Sequence, residues 1–289
     1  MKKDVLIKMI CLSVALVAVS VGTLFFSNFK TENSDDFVSK ISNISSAPNA
    51  ENKVEQESSN GNPLNDAKKI NETTALQIAA KYINTENAQI EKSKKEKIDT
   101  FVVANEFGTA SISEKGGSLV SFSKNEDDEI KNFSDQQCID KAEEFVLSYY
   151  SASFTPRYFE SGEEDCFVVF TSKNGGTLCN PDKIEITVSK KSGEILSFDA
   201  SDFLLNYRNR TLQAPEHTKE EAYGCLENNL FVEQVNQVII ETQSGEEMCY
   251  EFLCKTEDEK RVIVYINAYN LQKEEEILLP ENKNGIFLK

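Results

Sequence analysis

The chain has 289 residues, and its 31 Lys and Arg against 48 Asp and Glu give a net charge of −17 at pH 7. This charge argues against general nucleic-acid binding, because neutralising phosphates requires a surplus of basic side chains on one face. The length allows roughly two or three compact units, and the composition excludes a collagen-like chain or a disulfide-dense miniature protein.

The first feature along the chain is an uncharged stretch from Met9 to Phe29. As a helix it would be about 30 Å long, which is the thickness of a bilayer core. Basic residues lie mostly before it, at Lys2, Lys3 and Lys8, with Lys30 after it. The positive-inside rule therefore predicts a single-pass anchor with a cytoplasmic N-terminus, covering residues 1–30. A cleaved signal peptide with a small-residue site at 18–20 is the alternative, but the apolar run continues past that site.

Residues 31–72 are rich in Ser, Asn, Glu and Lys, and Phe37 is their only aromatic residue. A segment of this composition buries too little apolar surface to fold alone. We expect it to be a flexible tether between the membrane and the C-terminal three quarters of the chain.

After the tether one pattern occurs three times: a capped amphipathic helix, a β-rich stretch and a turn before a final strand. The helix starts are predicted from three capping boxes, namely Thr74-x-x-Gln77, Ser134-x-x-Gln137 and Thr218-x-x-Glu221. The repetition predicts three small units at 73–125, 132–200 and 218–289, with a linker at 201–217.

Alternating apolar residues and Gly-containing turns place the strands of each unit. The predicted strands are 100–104, 109–113 and 118–123 in the first unit, 166–171, 183–189 and 195–198 in the second, and 238–242, 248–255, 261–268 and 276–279 in the third. We therefore predict an α+β fold in which an N-terminal transmembrane helix precedes tandem units, each a helix packed on a small antiparallel sheet.

Candidate catalytic residues are few. His217 is the only histidine and directly precedes a predicted helix cap, so we interpret it as a capping-region or surface residue rather than a general base. The acidic runs 126–129, 163–165 and 274–276 could supply the paired carboxylates of a glycan hydrolase, but their places at turns favour solvated surface. Phosphate-loop, dinucleotide and EF-hand patterns are absent from the sequence. We predict no catalytic residue, no cofactor and no metal.

Six cysteines follow the predicted anchor: Cys138, Cys166, Cys179, Cys225, Cys249 and Cys254. Export would permit disulfides, but six cysteines allow 15 pairings and sequence cannot choose among them. A zinc site is poorly supported because there is no Cys-x-x-Cys pair. Buried thiols and one or more disulfides both remain open.

Three segments resemble the linked PepSY units of the YpeB family of germination proteins. They are Ile112 to Ser121, with a Lys-Gly-Gly turn, Lys183 to Asn206, which reads KIEITVSKKSGEILSFDASDFLLN, and Met248 to Leu278, which contains Tyr-Glu-Phe and Tyr-Ile-Asn-Ala. Arg210 and Pro215 complete the second segment. The resemblance covers about residues 70 to 289 and is specific in the order of its motifs.

The resemblance implies a non-enzymatic membrane protein of endospore-forming bacteria, placed in the spore inner membrane and facing the cortex. YpeB-like proteins support SleB, an enzyme that degrades cortex peptidoglycan, and PepSY units are generally regarded as inhibitory or chaperoning modules for secreted hydrolases. This chain looks like a short form, since the tether stands where the family has a long helical region. It also has Asn270-Leu271 at an expected Gly turn, and Tyr207 where the family often has His.

We expect a SleB-like hydrolase as partner, bound through exposed sheet edges or the basic linker. The edge candidates are Lys183 to Ser189 and Arg261 to Asn267. The candidate contact residues are Arg208, Arg210, Glu185, Arg261, Tyr265 and Asn267. Alternative functions are a regulatory ectodomain of a cell-wall sensor or secreted peptidase and, with less support, a carboxylate-dependent glycan hydrolase.

Overall fold

The computed structural model describes residue 64, residues 67–125, 131–150 and 152–279, and the backbone of 285–287. The described chain is mostly β-sheet with a few short helices. The predicted anchor and tether, up to residue 63, lie outside the described residues. Within the described ranges no helix combines the length and apolar character needed to cross a bilayer.

The first unit is a helix followed by a four-stranded meander. Helix α1 (Glu72–Ala79) precedes strands β1 (Gln89–Lys95), β2 (Ile98–Ala104), β3 (Gly108–Ser113) and β4 (Leu119–Lys124). The predicted cap at Thr74 is wrong: Asn71 caps the helix, because its side chain accepts a hydrogen bond from the Thr74 N–H. Strand β1 was not predicted, since its sequence QIEKSKK is polar and only partly alternating.

The second unit repeats this order. Helix α2 (Asp135–Tyr149) precedes strands β5 (Phe154–Ser161), β6 (Asp165–Asn174), β7 (Thr177–Ser189) and β8 (Ile195–Asp199). The predicted capping box of Ser134 and Gln137 is confirmed. Strand β5 was missed, and β7 begins six residues before the predicted strand at 183, because Pro156 and Pro181 interrupt the strand patterns.

The third unit has the same order with a shorter helix. Helix α3 (Ser201–Asn206) lies in the predicted linker, and α4 (Lys219–Tyr223) precedes β9 (Phe231–Thr242), β10 (Gly245–Lys255), β11 (Arg261–Asn267) and β12 (Lys273–Leu278). The capping box of Thr218 and Glu221 is confirmed. A last strand, β13 (Gly285–Phe287), returns to pair with β5 in the second unit.

Main-chain pairing joins the units edge to edge into one 13-stranded sheet. Strand β4 pairs antiparallel with β8, which links the first unit to the second. Leu178 and Cys179 of β7 pair in parallel with Val238 and Ile239 of β9, which links the second to the third. The three units therefore share a continuous backbone hydrogen-bond network.

The predicted edge strands were wrong. Strand β7 lies between β6 on one side and β8 and β9 on the other, while β11 lies between β10 and β12. The cause is the joining of the units, which the sequence of a single unit does not reveal. In the described part of the chain, the path through the sheet ends instead at β1 and β12.

The largest core cluster spans the first and second units. Its centre is a group of stacked and edge-to-face rings that includes Tyr82 from the first unit and Phe145, Tyr149 and Phe198 from the second. Phe122 of β4 stacks on both Tyr82 and Phe198. Aromatic burial therefore reinforces the joint that the β4–β8 pairing forms.

Candidate functional site

Polar chemistry in the described chain concentrates where the second unit meets the third. At this junction the pairing register between β6 and β7 is irregular. Thr171 pairs with Lys183, but the next residue, Ser172, pairs with Cys179. Asn180, Pro181 and Asp182 are therefore extra residues on the β7 side, as in a bulge. Asp182 is fully buried, and its carboxylate accepts a 2.7 Å hydrogen bond from the Ser172 hydroxyl.

Arg210 of the linker binds carboxylates of both units. Its Nη1 and Nη2 atoms donate to the two oxygens of Asp182 at 2.7 and 2.8 Å. Its Nε and Nη2 atoms donate to the two oxygens of Glu246 on β10 at 2.8 and 2.7 Å. The Arg210 side chain is only 5% exposed. The guanidinium fork therefore makes two bidentate contacts at once, an arrangement that Lys cannot reproduce.

The charges in this group reinforce one another. Burial by itself would lower the pKa of Arg210, but its hydrogen bonds with Glu246 and Asp182 outweigh that effect and hold the pKa above its ordinary value. Burial likewise opposes ionisation of Glu246, yet the hydrogen bond and charge of Arg210 lower the pKa of this carboxyl below its usual value of 4.5. Both side chains are therefore charged at neutral pH.

A second buried network lies across the same junction. Arg157 of β5 forms an ion pair with Glu251 in the middle of β10. Glu251 also accepts hydrogen bonds from Asn236 on β9 at 3.1 Å and from the Tyr265 hydroxyl on β11 at 3.0 Å. Asn180, in the β7 bulge, donates to the same carboxylate at 3.4 Å. The buried Glu251 carboxylate is thus bonded to side chains from the bulge and from strands of both units.

Burial sets the protonation of this second network. It lowers the pKa of Arg157 to about 10, which leaves the guanidinium charged at neutral pH. It raises the pKa of Tyr265 to about 12, so the phenol keeps its proton and remains a donor to Glu251. The added donors to Glu251 offset part of the cost of burying this charge pair.

The predicted contact residues divide into two groups. Arg208, Glu185 and Arg261 have exposed side chains, at 56%, 41% and 42%. Glu185 borders a shallow cleft between the first and second units, whose lining also includes Glu96, Lys183, Asp199, Ser201 and Asp202.

Arg210, Tyr265 and Asn267 instead point inward. Asn267 is 2% exposed and donates a 2.8 Å hydrogen bond to Glu274. Its side chain also accepts from the Tyr269 N–H, within the turn that contains Leu271 at a positive φ of 60°. A partner could reach these three side chains only if the fold opened, so any contact role for them stays a prediction.

Sequence reasoning missed the carboxylates that hold the junction together. Asp182, Glu246 and Glu251 were not singled out, although Glu251 interrupts the apolar run of β10 and Asp182 follows a proline inside a strand. A charged residue at a position that should face a core is the pattern that could have indicated them.

The remaining candidates make ordinary structural contacts. The backbone carbonyl of His217 accepts a hydrogen bond from the Tyr250 hydroxyl, and the His217 Nδ1 lies 3.6 Å from the Glu221 carboxylate. In the other acidic runs, Glu164 pairs with Lys191 and Glu276 with Lys273, while 126–129 lie outside the described residues. The described residues contain no group of three potential metal ligands.

A family model described as YpeB sporulation, PepSY1 and PepSY2 domains matches residues 30–213. The chain belongs to the YpeB sporulation family. The sporulation protein YpeB of Halalkalibacterium halodurans is 28% identical over 218 residues, which are 72% of this chain and 48% of that protein. The YpeB protein of Bacillus subtilis is 27% identical over 232 residues, or 76% of this chain and 51% of the relative.

This YpeB-family chain spans about half the length of the curated relatives that it matches. The fold is also that of a solved structure, the Bacillus megaterium YpeB C-terminal domain. The two superpose with a TM-score of 0.59 at 24% identity, over 74% of this chain and 100% of the other. The resemblance expected from the three sequence segments is thereby confirmed.

Proposed function

We propose that this protein is a non-enzymatic, membrane-anchored spore germination protein that binds and stabilises, localises or restrains a cortex-lytic peptidoglycan hydrolase of the SleB type. Membership of the YpeB sporulation family is the observation that carries the proposal. The N-terminal apolar stretch supports attachment to the spore inner membrane with the folded part facing the cortex.

The organisation of the described residues supports a role in presenting a binding surface to a partner protein. The bidentate arginine contacts and the buried glutamate cluster are used to fix one unit against the next. Rigid positioning of several small units yields a broad surface of fixed shape, which is what a docking protein requires. Among the described residues, β1 and β12 lie at the ends of the sheet path, and an end strand can accept an added strand through main-chain hydrogen bonds.

Co-purification of the intact protein from dormant-spore membranes tests location and partner together. The expected result is recovery of a cortex-lytic hydrolase with the tagged full chain. Recovery of no lytic enzyme, combined with normal cortex degradation in a deletion strain, would contradict the proposal. Release of muropeptides by the purified protein alone would instead establish a glycan hydrolase.

Charge-reversal variants locate the contact surface within the same experiment. Arg208→Glu and Arg261→Glu alter exposed predicted contacts, and Lys219→Glu changes a similarly exposed side chain on α4 as the matched control. Loss of the hydrolase with either arginine variant, but not with the control, is expected. Equal recovery with all three variants would exclude both arginines as contacts.

A further inference from the structure

Two of the six cysteines beyond the predicted anchor lie side by side in the second unit. Cys138 is on the face of α2 that packs on the sheet, and Cys166 is at the start of β6, beneath that helix. Both are fully buried and belong to the same hydrophobic cluster. Asp135, one turn before Cys138 on the same helix face, accepts a 3.6 Å hydrogen bond from the Cys166 thiol.

The pair lies just under a small polar cover made by Asp135, Ser161 and Lys190. Lys190 Nζ is 2.7 Å from the Asp135 carboxylate and 2.6 Å from the Ser161 hydroxyl, which itself donates to Asp135 at 2.9 Å. The side chains of Asp135 and Lys190 are partly exposed, at 34% and 21%. The route from solvent to the buried thiols therefore leads past this partly exposed polar cover at the first turn of α2.

The other described cysteines are placed apart from this pair. Cys179 is on β7 and Cys225 follows α4. Cys249 and Cys254 lie on opposite faces of β10, in two different hydrophobic clusters. Of the cysteine pairings that the sequence left open, the fold therefore favours the one between Cys138 and Cys166.

We propose that Cys138 and Cys166 form a disulfide that fastens helix α2 to strand β6 when the protein meets a disulfide oxidant. The reaction is an exchange with a small-molecule disulfide such as oxidised glutathione. One cysteine sulfur attacks the oxidant, forming a mixed disulfide and releasing one glutathione thiol. The second cysteine sulfur then displaces the other glutathione, so the two thiol protons and the two electrons leave with two reduced glutathione molecules.

The thiol chemistry favours Cys138 as the attacking group. The neighbouring Cys166 thiol lowers the pKa of Cys138, whereas the Cys138 thiol and burial raise the pKa of Cys166. Cys138 also lies in the first turns of a 15-residue helix, whose N-terminal dipole favours a thiolate. The pair is thus divided into a nucleophile and a resolving thiol.

Peptide mapping of the full-length chain, purified in detergent, tests the proposal. The protein is incubated with oxidised glutathione, or refolded in a glutathione redox buffer, then alkylated, digested and analysed by mass spectrometry. The expected product joins the Cys138 and Cys166 peptides, and the count of free thiols falls by two. A full set of free thiols under both conditions, or cross-links between other cysteines only, would overturn the proposal.

Variants keep the test specific. Cys138→Ser and Cys166→Ser should each abolish this cross-link, while Cys254→Ser should retain it. Oxidation should raise the urea midpoint of the wild-type protein, because a cross-link between 138 and 166 restricts the unfolded chain. The Cys138→Ala/Cys166→Ala protein should have the same midpoint with and without reductant. If that variant does not fold, the wild-type peptide map alone decides.

Discussion

Arg210 is the residue on which the contact between the second and third units depends. Its replacement by Met keeps an unbranched side chain but leaves the buried Asp182 carboxylate and the partly buried Glu246 carboxylate without their shared cation. Removing one partner of a buried ion pair costs about 3–5 kcal/mol. We expect Arg210→Met to lower the free energy of unfolding by that amount, as measured by urea denaturation.

Arg208 provides the control for this substitution. It contacts the same Glu246 carboxylate at 2.9 Å, but its side chain is 56% exposed. Exposed ion pairs contribute no more than about 1 kcal/mol, so Arg208→Met should be nearly neutral. Equal losses for the two variants would show that the fork of Arg210 has no special part in the junction.

Glu246 should make part of the stability depend on pH. Arg210 holds the pKa of this carboxyl below its ordinary value of 4.5 in the folded protein. Its contribution is therefore complete above about pH 4.5 and is lost as the pH falls through the lower, folded-state pKa. The difference in urea midpoint between wild type and Glu246→Gln should be largest near about pH 6 and shrink towards about pH 3. Glu185→Gln, which changes an exposed carboxylate, should leave the urea midpoint nearly unchanged near about pH 6.

These residues also show where sequence reasoning stops. Capping boxes at Ser134 and Thr218 were predictable because the interacting atoms are three residues apart. The Arg157–Glu251 pair joins positions 94 residues apart. Such a pairing depends on how the second and third units meet, and no local pattern specifies it.

At the scale of single elements, the turn from β7 to β8 has little tolerance for a side chain. Gly193 has a φ of 76°, and a Cβ atom there would lie 2.4 Å from the ring of Phe133, just before α2. We expect Gly193→Ala to destabilise the protein by about 2–4 kcal/mol, from left-handed strain and the clash together. Thermal unfolding measures the effect.

A substitution at Gly175 separates the effect of left-handed strain from that of the steric clash. Gly175 has a φ of 64° in the turn from β6 to β7, and a Cβ atom at this position would have no neighbour within 4 Å. Gly175→Ala should cost only the conformational part, about 1 kcal/mol. If Gly193→Ala cost no more than this, the packing of Phe133 on the turn would not matter for stability.

Elements with strong local patterns were the predictable ones. The helix starts at Ser134 and Thr218 and the centres of β10 and β11 follow from capping and apolar residues. Strand β1 could not be found in this way, because it is a polar strand at the end of the sheet. Its place depends on pairing with β2 rather than on its own composition.

For the whole molecule, the joined sheet and shared core should make the described region unfold cooperatively. The chain has no Trp and nine Tyr, so tyrosine fluorescence reports on tertiary structure while far-UV circular dichroism reports on the sheet. We expect the two urea transitions to coincide. Separate transitions would indicate that the units are independent despite the β4–β8 pairing.

Phe198 tests the same coupling by mutation. Its ring is 1% exposed and packs against Phe122, Phe145 and Tyr149, which come from both of the first two units. Phe198→Ala should lower the stability by about 3–5 kcal/mol and move both transitions together. Leu147→Ala, at a side chain that is 58% exposed, should change neither appreciably.

On the side away from β6, strand β7 has two neighbours: its first residues pair with β9 and its last residues pair with β8. A protease nick in the connecting segment 207–218 would therefore cut the covalent link without separating the pieces. The two fragments should migrate as one particle under native conditions and part only in denaturant. Truncation of the third unit would, for the same reason, expose backbone N–H and C=O groups of β7 in the middle of the sheet. The first two units would then be prone to self-association through this exposed edge.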